Sequence, residues 1–228
     1  MELHLPDHHL RFVTNIEEVL RLIEIHENIT GTGPGYRHNV QVLNKSAIIF
    51  LVACWESYVE DLCEAALNFM INNAQSYSVF PRNVLDRVSS KHQGPKAWEL
   101  AGDGWKDALK SNKKEILART TDKLNTPAVD QVRDLFFKTI GLNNLPSTWH
   151  WRGKTEKESA IHLDKLIRLR GSIAHKVETS RPVRKSEVID HLGFVRYLAV
   201  KSTNNIRLYI HEKTGQYPWR GVKRGKVK

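Results

Sequence analysis

The stretch that decides the fold is 47–69, "AIIFLVACWESYVEDLCEAALNF". Its large apolar side chains recur at alternating steps of three and four residues, the period of a helix with one buried stripe. These positions are Ile48, Leu51, Trp55, Tyr58, Leu62, Ala65 and Phe69. The spacing predicts a long helix over about 39–73, which we expect to be the central helix of a bundle.

One further helix is predicted near the N-terminus and another directly after residue 125. The capping box of Thr14 and Glu17 predicts a first helix of about 15 residues, which the glycine-rich turn at 31–35 ends. Later, Thr126 is the expected N-cap of a helix with Pro127 in its first position. Its apolar stripe ends at a glycine and comprises Val129, Val132, Leu135, Phe136 and Ile140.

The last third of the chain predicts two further helices. A second capping box, Thr155 with Glu158, opens a helix that carries "LIRLRGSIAHK" at 166–176. Ser186 is the expected start of a last helix that continues to about 210. Residues 74–125 mix short apolar groups with glycine, proline and charged clusters, and predict an elaborated connection with short helices, one at about 112–119.

No segment shows the two-residue alternation of a strand, and no glycine-rich phosphate loop is present. The fold class is therefore all-α, a bundle of four to five core helices with an insertion between them. We expect an N-terminal tail at 1–13, one helical domain at 14–212 that contains the connection at 74–125, and a basic C-terminal tail at 213–228. That tail is expected either to clamp nucleic acid or to be disordered and solubilising.

Composition restricts the compartment and the partners. The net charge of +10 favours a polyanionic partner such as RNA. Cys54 and Cys63 are too few for a disulfide framework, the N-terminus lacks a signal peptide, and the longest apolar run, 47–55, is far too short to span a bilayer. These features predict a soluble, cytoplasmic protein that makes no membrane contact.

The segment 166–176 places two functional side chains on an otherwise apolar helix. Arg170 follows Leu163 by seven residues and therefore shares its inward face, where an unpartnered cation is costly. His175 is rotated by about 140° from Arg170 in a continuous helix. The two can converge if Arg170 reaches around the helix, if the helix ends near Gly171, or if a second subunit completes the site.

Three other groups of residues have both a functional and a structural interpretation. Glu56 and the acidic row that follows it on the central helix could orient Arg170 or His175, or form a solvated edge. The segment "WHWRGK" at 149–154 could be a platform for single-stranded nucleic acid or an anchored loop. The histidines near the N-terminus lack further ligands at metal spacing, so we expect no metal site and no cofactor.

Three segments together resemble a known family. "FLVACWESYVEDLCEAAL" (50–67), "TPAVDQVRDLFFKTIGL" (126–142) and "LIRLRGSIAHK" resemble, in this order and spacing, HEPN domains of the RiboL-PSP class over about 10–210. The resemblance implies a helical bundle that dimerises, and a metal-independent endoribonuclease of a toxin, antiviral or stress system. It implies that Arg170 and His175 of two subunits meet in one cleft.

The resemblance implies a specific chemistry. His175 would act as general base or acid, Arg170 would bind the scissile phosphate, and Glu56 would orient them, so that an RNA 2′-hydroxyl attacks its own phosphate and leaves a 2′,3′-cyclic phosphate. Many catalytic members carry Asn, Asp or His where this chain has Gly171, and Val177 replaces the tyrosine that some members modify. Regulation by nucleotidyl transfer is therefore not expected.

The sequence thus predicts a cytoplasmic, homodimeric HEPN ribonuclease, with an antitoxin or other regulatory protein as a possible partner. The alternative is a HEPN module of the same fold that holds RNA or a nucleotide without cutting it, which Gly171 favours. A third interpretation is a structural helical protein that binds no nucleic acid. Further RNA contacts are expected from basic and aromatic side chains: Lys176, Arg168, Trp151, Arg152, Arg220, Lys223 and Arg224.

Overall fold

The structure, a computed structural model, describes residues 3–31, 40–121, 127–176 and 181–223. Within these ranges the chain is all-α and forms no strand; an isolated backbone bridge joins Trp151 and Lys154. The helices are α1 (Asp7–Thr30), α2 (Gln41–Asn73), α3 (Arg82–Lys91), α4 (Gly104–Thr121), α5 (Val129–Ile140), α6 (Glu156–Lys176) and α7 (Lys185–Thr214). The predicted fold class is confirmed.

Helix α2 is the centre of the bundle, as its apolar spacing predicts. It packs against α1, α5, α6 and α7, and Trp55 and Tyr58 on its inner face are fully buried. By length and composition alone α2 could cross a membrane, but half of its most apolar window is buried inside the protein. Its hydropathy is therefore that of a core helix, and the cytoplasmic location stays a prediction.

Helix α1 begins seven residues earlier than predicted. It starts at Asp7 after Pro6, while Thr14 is exposed in the helix interior and does not cap it. His8, Phe12 and Ile16 are buried at steps of four, so the apolar stripe continues upstream of the predicted capping box. The predicted start at Thr14 is wrong, and the second half of the expected N-terminal tail belongs to the bundle.

Burial of His8 predicts a pH dependence of stability. Burial lowers the pKa of His8 to about 3, whereas an unfolded histidine titrates near about 6.5. The unfolded state therefore binds more protons between these values, so stability is highest above about pH 6.5 and falls as the pH drops toward 3. Urea unfolding between about pH 7 and 5 should show this slope, and His8→Gln should reduce it. An equal slope in both proteins would contradict the prediction.

The elaborated connection contains more helix than predicted. α3 and two 3-10 turns (Tyr77–Val79 and Gly94–Leu100) precede α4, which extends well beyond the expected 112–119 and packs on α2 and α5. α4 buries one side of the helix against them. Its buried residues are Trp105, Ala108, Leu109, Asn112 and Ile116. The connection is thus a packed part of the domain.

Some of the predicted boundaries of α5, α6 and α7 are confirmed and others are not. The N-cap of α5 is Ala128, whose backbone N–H donates to the Gln131 side chain, so the predicted cap at Thr126, which lies outside the described residues, is wrong. Gly141 ends α5 in the left-handed conformation, as predicted. The box of Thr155 and Glu158 forms at the start of α6. α7 starts at Lys185, one residue before the predicted start.

Residues 215–223 pack against the bundle and are not a free tail. Trp219 is buried, and its indole N–H donates to the Thr203 carbonyl on α7. The Asn204 side chain exchanges two hydrogen bonds with the Val222 backbone. The predicted tail boundary is therefore corrected for these residues, because an aromatic anchor fixes them; the last five residues of the chain lie outside the described part.

Candidate functional site

Helix α6 continues through Gly171 to Lys176. This excludes one of the three ways in which Arg170 and His175 could converge, because the helix does not end at the glycine. In a regular helix the two residues differ by about 140° in direction and about 7.5 Å along the axis. Within one chain only a long reach of Arg170 around the helix could bring them together; otherwise a second copy must contribute.

Arg170 lies on the inner face of α6, as the spacing predicts. Leu163 and Leu166 on the same face are fully buried, and Arg170 is half-buried. Its Nε atom is buried and has no hydrogen-bond partner among the residues that the structure describes. An unsatisfied buried donor of a charged group costs free energy, so this position is suited to receive an acceptor such as a phosphate oxygen.

His175 lies on the opposite, solvent-facing side of α6. Its side chain is exposed, and Arg168, seven residues earlier and also exposed, falls within about 20° of it around the helix. Ser172 lies between them, and its hydroxyl donates to the Arg168 carbonyl. Arg168 therefore faces nearly the same direction as His175, although the sequence identified it only as a general RNA contact.

Glu56 lies on the central helix α2. Asn44 near the start of α2 donates to the Val183 carbonyl, and Val183 shares a cleft with Leu169, the residue before Arg170. Glu56 is half-buried and 12 residues farther along α2, about 18 Å along its axis. The role of Glu56 in orienting Arg170 or His175 stays a prediction.

The other expected RNA contacts are dispersed. Trp151 stacks on Tyr197 with 4.7 Å between ring centroids, which covers one face of its indole and favours the anchored-loop interpretation of 149–154. Arg152 beside it is exposed. Arg220 and Lys223 are exposed but follow a segment that packs near Thr203, about 27 Å along α7 from its start. The side chains of Lys176 and Arg224 lie outside the described part.

The end of the bundle that carries His175 offers one basic residue that the sequence reasoning missed. Arg184 is exposed at the residue before α7, next to Val183, which is bonded to the start of α2. The basic run "RPVRK" at 181–185 was the signal that could have identified it. Arg181 of the same run is already paired with Glu187 through two hydrogen bonds. Arg168 and Arg184 thus provide exposed positive charge at this end.

This geometry supplies a proton-transfer group, exposed cations and a buried guanidinium Nε that has no hydrogen-bond partner among the described residues. The described residues contain no group of three or more side chains that could hold a metal ion. In a comparison with protein families, the RiboL-PSP-HEPN family model matches residues 14–206. The chain belongs to the RiboL-PSP-HEPN family. No curated protein and no solved structure gives a significant match.

Membership of the RiboL-PSP-HEPN family agrees with the all-α architecture and extends from within α1 to within α7. Family membership supports a ribonuclease-like or RNA-binding role. The net charge of +10 also favours such a role. The assignment of Arg170 and His175 as the site stays a prediction.

Proposed function

We propose that this HEPN protein is a metal-independent endoribonuclease whose site contains Arg170 and His175 contributed by two copies of the chain. The observation that carries the proposal is the buried Nε of Arg170, which lacks a partner although it lies one and a half turns from an exposed histidine on the same helix. A charged donor that lacks an acceptor among the described residues is explained if RNA supplies the acceptor.

The proposed reaction is an attack of the RNA 2′-hydroxyl on the adjacent phosphate. His175 removes the 2′-hydroxyl proton or protonates the leaving 5′-oxygen, and a guanidinium stabilises the negative charge of the crowded phosphorane. The 2′-oxygen to phosphorus bond forms as the phosphorus to 5′-oxygen bond breaks. The products are a 2′,3′-cyclic phosphate and a 5′-hydroxyl end, and Arg168 and Arg184 would hold neighbouring phosphates.

The direction of the two side chains supports the proposal of a dimer. His175 faces away from Arg170 around α6, so the guanidinium that serves this histidine would come from a second copy. Symmetry would then create two equivalent pairs. A toxin or antiviral effector in the cytoplasm, held in check by an antitoxin or regulatory protein, is the biological setting that we propose for such an enzyme.

The direct test is cleavage of total RNA and of tRNA by the purified full-length protein in excess EDTA, with the product ends identified. We expect cleavage to continue without divalent metal and to leave cyclic phosphates, which acid treatment opens. Products with 5′-phosphate ends, or activity that EDTA abolishes, would contradict the proposed chemistry.

Gly171 supports a second candidate function, RNA binding without cleavage. A Cβ placed on Gly171 would meet nothing within 4 Å, and the residue is helical, so neither space nor backbone conformation requires glycine here. The polar side chain that many catalytic relatives carry at this position is therefore missing without a structural reason. RNA binding that weakens steeply with salt, with no cleavage, would favour this candidate.

Substitution of Gly171 is expected to separate stability from activity. Because the site is open and helical, Gly171→Ala should raise the free energy of unfolding by about 1 kcal/mol. Gly171→Asn should stabilise less, and should increase the cleavage rate if an amide at this position assists phosphate binding. Urea unfolding and a cleavage assay of both variants provide the measurement. If Gly171→Ala is more stable and both variants keep the wild-type cleavage rate, position 171 does not limit catalysis.

A further inference from the structure

A cleft between α6 and α7 contains a polar cluster that the proposed nuclease site does not use. Its volume is about 680 Å³, and Gly153 and Lys154 from the loop before α6 line part of it. The cluster comprises Lys154, His162 and His191, with Lys165 on the same side of α6. His162 and Lys165 project from a different face of α6 than Arg170, because Leu169 lines the cleft and the next residue points about 100° away.

The three residues form a hydrogen-bonded chain. Lys154 Nζ lies 2.6 Å from His162 Nδ1, and His162 Nε2 lies 3.0 Å from His191 Nδ1. The His162 ring also stacks on Phe194 at 3.9 Å, which fixes its plane. Burial and the nearby Lys154 charge lower the pKa of His162 to about 4, so this ring is neutral near neutral pH.

The direction of the chain follows from its first member. A protonated lysine can only donate, so His162 Nδ1 accepts and the ring proton of His162 lies on Nε2. That Nε2–H then donates to His191 Nδ1, which leaves the ring proton of His191 on its own Nε2. The chain thus starts at an ammonium group and ends at an N–H donor.

The cleft contains hydrogen-bond donors that the described residues leave without an acceptor. His191 Nε2 and the remaining N–H groups of Lys154 have no acceptor among the residues that the structure describes. Two of the carboxylates in the cleft are already used: Glu158 accepts from Thr155, and Glu187 accepts from Arg181. Asp190 is exposed at the rim. A ligand that complements this surface must accept hydrogen bonds.

We propose that this cleft is an oxyanion site that binds a phosphate group through Lys154, His191 Nε2 and Lys165. A nucleotide and an RNA chain both present such a phosphate group with the same oxygens. The site is separate from Arg170 and His175, and binding there does not require cleavage.

The same hydrogen-bond chain argues against a metal ion between the two histidines. An imidazole that binds a metal through Nε2 keeps its proton on Nδ1 and donates it to an acceptor. Here Nδ1 of His162 faces the ammonium group of Lys154, which cannot accept. Phosphate binding, in contrast, leaves every proton of the chain in place.

The test is a titration of the full-length ¹⁵N-labelled protein, followed through the imidazole nitrogen resonances. The probes are inorganic phosphate, adenosine monophosphate, and a single-stranded RNA of about ten nucleotides, all at constant ionic strength. Lys154→Gln removes the charge but keeps a donor for His162. Lys157→Gln, an exposed lysine on the first turn of α6 outside the cleft, is the matched control.

We expect His191 Nε2 to be protonated in the free protein and to shift on addition of phosphate. Lys154→Gln should weaken binding by about tenfold, whereas Lys157→Gln should leave it within about twofold. Tighter binding of the mononucleotide or of the RNA than of phosphate would identify the source. Binding that both variants weaken equally, absence of binding by all three probes, or saturable Zn²⁺ binding at the histidine pair would overturn the proposal, whatever the cleavage assay shows.

Discussion

Replacement of His175 by alanine is expected to lower the rate of RNA cleavage by about 10²- to 10⁴-fold, the usual contribution of a general acid or base. The side chain is exposed, so the free energy of unfolding should change by less than about 0.5 kcal/mol. Arg170→Ala should lower the rate comparably, because the guanidinium is expected to stabilise charge that develops only in the transition state. Single-turnover cleavage rates and urea unfolding of each variant provide the measurement.

Arg168→Ala is the matched control for charge on α6. Arg168 is exposed on the side that carries His175, so its removal should weaken RNA binding and lower the salt dependence of binding, with a smaller effect on the single-turnover rate at saturating protein. Equal losses of rate in all three variants would indicate that the face acts only as a positive surface. Wild-type rates in Arg170→Ala and His175→Ala would contradict the proposed site.

Mixing the two inactive variants tests whether the site is shared. If Arg170 of one copy serves His175 of the other, a heterodimer of Arg170→Ala and His175→Ala retains one intact pair. Random exchange should then restore about a quarter of the wild-type rate, since half of the dimers are mixed and each has one of two pairs. A site within a single chain gives no restoration, because each copy lacks one of its two residues.

The core of the fold follows directly from spacing in the sequence. The stripe from Ile48 to Phe69 defines α2, and the box of Thr155 and Glu158 defines the start of α6. The start of α1 was missed because a Thr and Glu three residues apart also occur inside helices, and burial of His8 depends on Trp219 from the far end of the chain, whose ring lies 4.8 Å away. Such a long-range contact leaves no local pattern.

Prediction of the candidate site from the sequence has the same limit, because contacts between distant segments leave no local pattern. Helical spacing gives direction around an axis, which is why the inward face of Arg170 could be predicted and lies as expected. Spacing gives no information on the level at which two helices meet, so it could not determine whether Glu56 on α2 lies beside Arg170 on α6. The cluster of Lys154, His162 and His191 was missed for the same reason, since its members come from a loop and two helices.

Trp55→Ala is expected to have the largest effect on stability, a loss of about 3–5 kcal/mol in the free energy of unfolding. The indole is fully buried at the centre of α2, stacks on Tyr58 and meets Trp149 edge-on at 5.9 Å. Its N–H donates to the Pro127 carbonyl just before α5. Because domains of this size are stable by about 5–15 kcal/mol, the variant should be close to unfolding at 37 °C.

Two further variants separate the causes of that loss. Trp55→Phe keeps most of the apolar volume but leaves the buried Pro127 carbonyl without its donor, so we expect an intermediate loss of about 1–3 kcal/mol. Trp98→Ala is the matched control, because this tryptophan is 82% exposed and its removal should change stability by less than about 0.5 kcal/mol. Urea unfolding followed by circular dichroism measures all three variants. Equal losses in Trp55→Ala and Trp98→Ala would contradict the central position of α2, since only a packed core makes one tryptophan so much more costly to remove than another.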